Sequence, residues 1–369
     1  SPMLNPFRYG IIVDEPFFID REDEQKDIYQ WLSTKQSIVL YSPRRYGKSS
    51  LIIKLLNQFK KKGYNTIYID FFRVHSKEKF VEIFYQEILN TLHPWEKAIK
   101  QINQFVKKIK PVITFGDDGN PLISIQSSES VSDISEVFDL PQKLAKNKPW
   151  IVVFDEFQDI AKLNGDSFEK ELRASLIHHD NVGYVFMGSQ SNMLLNMFTH
   201  PNKAFYQFAK IMELKKISHD IMAQYVFDPF NKAKFKIKLD DAQSIVNIAD
   251  NIPHYVQYLA SAVWETAFEK RQVNPKTIIT AVSKILNNQL DYFTSLYHGL
   301  TPNQQKVLLA IVVEPENIFT ENYKKKYNLS AVSTTQRAIE RLIYLAIIEK
   351  VSGSYHFSDP FFKEWLKSI

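Results

Sequence analysis

The stretch Ser37-Ile-Val-Leu-Tyr41-Ser-Pro-Arg-Arg-Tyr-Gly47-Lys-Ser-Ser50 decides the reading of this chain. It opens with a short apolar run, which is the composition of a buried strand. It closes on the start of an amphipathic helix, with Leu51, Ile52, Leu55, Leu56 and Phe59 spaced to share one face. Between them lies most of a glycine-loop motif, Gly-x4-Gly-Lys-Ser/Thr. Gly47, Lys48 and Ser49 stand in place, while Ser42 replaces the first glycine. A loop of this kind turns backbone amides and a helix N-terminus towards an anion. Lys48 would reach the β- and γ-phosphates of a nucleotide, Ser49 would ligate magnesium and Ser50 would touch the α-phosphate. Ser42 puts a side chain near those phosphates, which is expected to lower affinity.

Working outward, apolar runs alternate with amphipathic stretches. Asn65–Phe72, Pro149–Phe154 and Gly183–Met187 read as strands; Lys79–Leu92 and Phe168–His178 read as helices. Such alternation predicts an α/β fold with a parallel sheet covered by helices on both faces. Pro111–Phe115 and Pro121–Ile125 flank Gly116-Asp-Asp-Gly-Asn120, the signature of a hairpin inserted at about 111–126. From Ser218 the pattern turns helical, with helices expected at 218–227, 240–250, 252–268 and 275–293. The last stretch predicts three helices, beginning at Thr301-Pro302, Phe319 and Ser333. A hairpin follows, with Ile347–Val351 and Ser354–Phe357 joined by Ser352-Gly353. That is the order of a winged helix. The expected domains are 1–217, a nucleotide-binding core; 218–296, a helical lid; and 297–369, a winged helix.

The second motif is Ile151-Val-Val-Phe154-Asp155-Glu156. An apolar strand delivers two acids at its C-terminal end, where open α/β sheets bind ligands. Asp155 would hold magnesium, and Glu156 would orient or deprotonate the attacking water. A third strand ends on Gly188-Ser189-Gln190-Ser191. Ser189 or Gln190 would approach the γ-phosphate or the water if that strand lies beside the loop strand; a plain strand-to-helix turn is the other reading. Arg44 and Arg45 have two readings as well, a contact to phosphate or a neighbouring subunit, and a salt bridge to an acid. Asp70 ends a strand at the same sheet edge. His178-His179 reads as a helix end rather than a metal site.

These residues together resemble the archaeal-type ATPase family, a branch of the AAA+/STAND P-loop ATPases. Phe18-Ile19-Asp20-Arg21-Glu22 is similar to the family's N-terminal signature beside the adenine, which implies nucleotide contacts for Ile19 and Arg21. Pro43-Arg44-Arg45-Tyr46-Gly47-Lys48-Ser49 is similar to its glycine loop, and Asp155-Glu156 to its acid pair. Gly188-Ser189 resembles its sensor strand end. Asn251-Ile-Pro253-His254-Tyr255 resembles the turn where the lid meets the nucleotide, which implies roles for Pro253 and His254. Residues 300–366 resemble its winged helix. The resemblance implies ATP or ADP with magnesium as ligands, slow hydrolysis, and lid closure that couples nucleotide to a protein partner not identified by the sequence. Three positions depart from the pattern: Ser42 for glycine, Phe205-Tyr-Gln-Phe208 for Leu-Tyr-Gly-Arg, and Asn251 for a common glycine.

Composition bounds the alternatives. The chain has 369 residues, 44% hydrophobic and 24% charged, enough for two or three ordinary folded domains. It has no cysteine, which excludes disulfides, thiolate zinc sites and iron–sulfur clusters. No apolar run of membrane-spanning length occurs, and a cytoplasmic location is expected. A net charge of +5 permits a nucleic-acid partner without demanding one. Residues 300–369 carry nine Lys/Arg against seven Asp/Glu, a difference of two. The helix from Ser333 offers Gln336, Arg337 and Arg341 as polar readers for DNA. Two further functions therefore stand beside the ATPase: a winged-helix DNA-binding regulator with structural nucleotide, and a nucleotide-binding scaffold that does not hydrolyse.

Overall fold

The computed structural model describes residues 4–7, 21–42, 45–92, 94–125, 134–146, 148–163, 166–189 and 191–369. They form two compact units. One comprises 21–42 and 48–215; the other comprises 216–369 with the segments up to residue 20 and 43–47.

The first unit is built on a five-stranded sheet. Its strands are β1 (Ile38–Tyr41), β2 (Asn65–Asp70), β5 (Trp150–Asp155), β6 (Val182–Gly188) and β7 (Lys210–Glu213). The antiparallel hairpin β3 (Val112–Phe115) and β4 (Pro121–Ser124) forms a separate sheet, as the insertion signal predicts. The order across the large sheet is β2-β5-β6-β1-β7, and every pairing is parallel. β5 and β6 are buried along their whole length, which explains their unbroken apolar sequences. β7 has no such signature. It is an edge strand with a mostly exposed face, so no apolar run marks it.

Helices cover the sheet. The helix Lys48–Lys61 buries Leu51, Ile52, Leu55, Leu56 and Phe59, the five positions that its periodicity selects. Ser76 caps the helix Lys77–Thr91 by accepting the Lys79 amide at 3.0 Å. Phe80 and Phe84 of this helix join Phe71, Phe138, Phe154 and Phe168 in a cluster of edge and offset ring contacts. Truncating a ring such as Phe154 to alanine would cost about 3–5 kcal/mol.

The second unit is helical. His219–Lys232, Leu239–Ile248 and Pro253–Ala267 pack together around Met222, Val226, Ile245, Val256 and Leu259. The stretch expected as one helix over 275–293 is two, Pro275–Asn288 and Leu290–His298. Gln289 leaves the helical conformation at ψ 9°, and the break turns Phe293 onto Phe362 and Trp365. Pro302–Val313, Glu321–Lys326 and Val332–Tyr344 are followed by the hairpin β8 (Ile348–Val351) and β9 (Ser354–Phe357). Its two turn residues, Ser352 and Gly353, have φ 51° and 82°, the left-handed pair that a tight two-residue hairpin requires. The helix Pro360–Lys367 closes the unit against the same core. Helices read as lid and as winged helix thus share one hydrophobic core.

Candidate functional site

Strand order gathers the polar residues of the first unit. β5 pairs with β2 so that Asp155 lies opposite Asp70, and β6 lies between β5 and β1. The C-terminal ends of these strands therefore share one edge, and the helix that begins at Lys48 follows β1 there. Lys48 is buried, with its Nζ 3.9 Å from Glu156 Oε1. Ser189, just after β6, donates from Oγ to both Glu156 oxygens at 3.1 Å. Gln158 Nε2 donates to Glu156 Oε2 at 2.6 Å.

Asp155 is held from two sides. Its Oδ1 accepts the Glu156 amide at 2.8 Å, and its Oδ2 accepts the Tyr68 hydroxyl. The phenolic proton goes to the Asp155 carboxylate, which only accepts. Ser49 lies near enough to the Tyr68 hydroxyl to oppose, in part, the rise in its pKa. Burial, then the Asp155 charge, pushes the Tyr68 phenol well above its usual range, so it stays a donor.

Asp70 completes an acidic edge. It caps the short turn Phe71–Arg73 by accepting the Phe72 amide at 2.9 Å. Its pKa is raised by burial and, after the opposing Phe72 hydrogen bond, by the neighbouring Asp155 and Glu156. The charges of Asp155 and Glu156 thus act on Asp70 across the strand ends. Glu156 sits at φ 49°, a left-handed conformation costly for a residue with a side chain. Its bonds to Lys48, Ser189 and Gln158 hold it there.

The other named residues have different surroundings. Ser42 is fully buried at the end of β1. Ser50 lies in the first turn of the helix from Lys48, half-buried. Arg21 donates from Nη1 to the Lys215 carbonyl at 2.7 Å, and burial lowers its pKa to about 10 against the opposing pull of Glu24. In the second unit Gly47 has φ 88°, which calls for glycine, and Tyr46 is buried with Lys216 over its ring. Arg45, at φ 66°, lies with its Nη1 2.7 Å from His254 Nε2 and its guanidinium 5.3 Å from the Tyr255 ring centre. Because arginine only donates, His254 Nε2 must accept, and the imidazole is neutral with its proton on Nδ1. Burial, then the Arg45 charge, lowers the His254 pKa to about 4. Arg45 therefore meets a neutral histidine and an aromatic face. Pro253 opens the helix Pro253–Ala267. Ile19, Pro43, Arg44 and Gln190 lie outside the described residues. His179 is enclosed between Asp139 and Tyr184, and no group of three His, Asp or Glu able to hold a metal occurs among the described residues.

The family model of an ATPase domain predominantly from Archaea matches residues 18–259. The chain belongs to this family. This ATPase also matches the model "Probable winged helix domain" over residues 291–368. Its fold is similar to the Walker-type ATPase of Pyrococcus abyssi, at 18% identity and TM-score 0.65, covering 95% of this chain and 96% of that one. It is also similar to the Aeropyrum pernix ORC2 protein in ADPNP–ADP complexes, at 13% identity and TM-score 0.55, covering 98% of each chain. The Aeropyrum pernix ORC1 protein in complex with DNA follows at 12% identity and TM-score 0.52, covering 97% of this chain and 95% of that one. No curated protein matches the chain. The family and fold make the protein a nucleotide-binding P-loop ATPase with a C-terminal winged helix. No helix among the described residues is long and apolar enough to cross a membrane.

Two positions that carry glycine in the family pattern hold side chains here in the left-handed region. Gln207, where the pattern has glycine, has φ 55°, and Asn251, also at a glycine position, has φ 52°. Asparagine accepts that conformation readily, and Asn251 Nδ2 donates to the Ile217 carbonyl at 2.6 Å. Phe208, where the pattern has arginine, packs on Phe186 and Phe205 beneath the Arg173 guanidinium. Sequence reasoning missed Tyr68 and Gln158. Tyr68 is two residues before Asp70 and so shares its face of β2, but only the β2–β5 pairing aims it at Asp155.

Proposed function

We propose that this ATPase binds ATP with magnesium through Lys48, Ser49, Asp155 and Glu156 and hydrolyses it slowly, as a nucleotide-dependent switch. One observation carries the reading: Glu156 is held by Lys48 on one side and by Ser189 on another, beside an Asp155 that accepts the Tyr68 hydroxyl. In the roles proposed, Lys48 neutralises the β- and γ-phosphates, and Ser50 touches the α-phosphate. Glu156 orients the attacking water and takes its proton. Ser189 keeps the carboxylate turned towards that water. The wider assignments, Ile19 and Arg21 near the base and Pro253 and His254 at the helical side, rest on the family pattern. So do the domain limits 1–217, 218–296 and 297–369.

Magnesium fits the residues present. Ser49 offers a hydroxyl oxygen and Asp155 a carboxylate, the hard oxygen donors that this ion takes, and Asp155 adds to the negative charge that Asp70 meets. Ser49 and Asp155 would hold the ion, which would supply charge neutralisation on the phosphates.

The test is ATP turnover and nucleotide titration of wild type, Lys48→Ala and Glu156→Gln. Lys48→Ala should lose nucleotide binding, and Glu156→Gln should keep binding and lose turnover. Turnover equal in all three sinks the enzymatic reading, and tight ADP retention without turnover replaces it with a scaffold. DNA is the second reading for the winged helix. Gln336, Arg337 and Arg341 are exposed along Val332–Tyr344, which supports it; Glu340 lies exposed among them, which favours a protein partner instead.

A further inference from the structure

Gln158 has no role in the motifs, yet it is the side chain that bonds Glu156 most closely. It sits in the turn Phe157–Lys162 and is fully buried. Its Nε2 gives the 2.6 Å bond to Glu156 Oε2. Its Oε1 has no hydrogen-bond partner among the described residues. Turning the amide over would set that carbonyl against a carboxylate, so the donor end must face Glu156. A buried carbonyl left without a partner is unfavourable, and an apolar side chain of similar size would avoid it. Packing the turn does not require an amide here.

Gly188 explains how the amide is kept in place. A Cβ built on Gly188 would lie 2.1 Å from Gln158 Oε1 and 3.2 Å from its Cδ. Gly188 is not in the left-handed region, so what demands glycine is space, chiefly for this amide and to a smaller degree for Leu194 Cδ2 at 3.2 Å. The end of β6 thus forms a wall behind Gln158, and the next residue, Ser189, donates to the same carboxylate. Two donors, from the turn after β5 and from the end of β6, fix the plane of Glu156.

We infer that Gln158 is a positioning residue for Glu156, seated by the missing side chain of Gly188, and that the pair sets the turnover rate rather than nucleotide affinity. This rests on the proposed role of Glu156 as the group that acts on water. A base displaced by a fraction of an ångström loses much of its effect, whereas binding energy comes from contacts elsewhere.

The experiment measures kcat and ATP affinity for the full chain carrying Gln158→Met, Gln158→Ala, Gly188→Ala and the Gln158→Ala/Gly188→Ala pair, with Glu156→Gln alongside. Gln158→Met keeps the volume and removes the donor. It should lower kcat about tenfold with ATP affinity within about twofold of wild type. Gly188→Ala should do the same, because its methyl displaces the amide. In the double variant the methyl enters space that Gln158→Ala has vacated, so kcat should equal that of Gln158→Ala alone. Multiplied losses in the double variant, or wild-type kcat in either Gln158→Met or Gly188→Ala, overturn the inference. If Glu156→Gln abolishes turnover while Gln158→Met keeps it, only the positioning role falls. If Glu156→Gln turns over like wild type, the role of Glu156 falls and this inference with it.

Discussion

The acid edge of the sheet unit and the Arg45 cluster of the helical unit handle charge in opposite ways. At the edge, Asp70, Asp155 and Glu156 are neighbours, and hydrogen-bond donors surround them: Tyr68, Gln158, Ser189 and backbone amides, with the Lys48 ammonium 3.9 Å from Glu156. Negative charge is concentrated and oriented. In the helical unit, Arg45 is paired with a neutral His254 and the face of Tyr255. Positive charge is held by a neutral base, a ring and the Asp359 carboxylate, whose pKa burial raises against the opposing pull of Arg45. The contrast teaches that carboxylates at the edge are oriented by donors, whereas the Arg45 guanidinium is met by a neutral base and a ring.

The largest expected effect breaks the edge at its proposed working group. Glu156→Gln should reduce ATP turnover by about 10²–10⁴-fold while leaving nucleotide affinity near wild type, read by steady-state assay and calorimetry. A loss of affinity equal to the loss of rate would make Glu156 a binding group instead.

Tyr68→Phe sharpens the same side of the comparison. It removes the hydroxyl that donates to Asp155 and leaves the ring. Magnesium dependence of nucleotide binding should weaken by about tenfold, the size typical of an outer-shell partner of a metal ligand. Magnesium-free nucleotide affinity should stay constant; an equal fall in both would assign Tyr68 to packing alone.

The Arg45 cluster predicts a smaller effect with a definite sign. His254 titrates at about 4 in the folded chain against an unfolded value near 6.5. Between these values the unfolded chain binds more protons, so stability rises with pH and is lost as pH falls from about 6.5 towards 4. Because His254 is only part-buried, the loss should amount to about a few degrees in Tm across that window. His254→Gln should flatten this part of the profile. A wild-type profile already flat there would show the histidine to be solvated.

The smallest expected effect concerns DNA. Arg337→Ala with Arg341→Ala should change duplex affinity by less than about threefold at 0.15 M salt, given Glu340 between them. A steep, salt-dependent loss would instead make the winged helix a DNA reader.

The edge was legible where its residues are neighbours in the chain. Gly47-Lys48-Ser49 and Asp155-Glu156 each sit at the junction of an apolar strand and a following turn, and local spacing alone marks them. The buried face of the helix Lys48–Lys61 was equally plain, because helical periodicity is a local property. β7 was not, since an exposed edge strand needs no apolar signature. The break at Gln289 was hidden as well, because the apolar pattern runs on past a residue whose turn is fixed by packing on Phe362 and Trp365.

By itself, then, the sequence determined the family, the alternation that makes a parallel sheet, and the two motifs at strand ends. Only the tertiary structure decided which side chains hold those motifs. Tyr68 reaches Asp155 because β2 pairs with β5, and Ser189 reaches Glu156 because β6 lies between β5 and β1. Gln158 is two residues from Glu156, but its orientation depends on the missing Cβ of Gly188, thirty residues further along. Strand order and the space beside a glycine depend on distant parts of the chain packing together, and no local pattern encodes them.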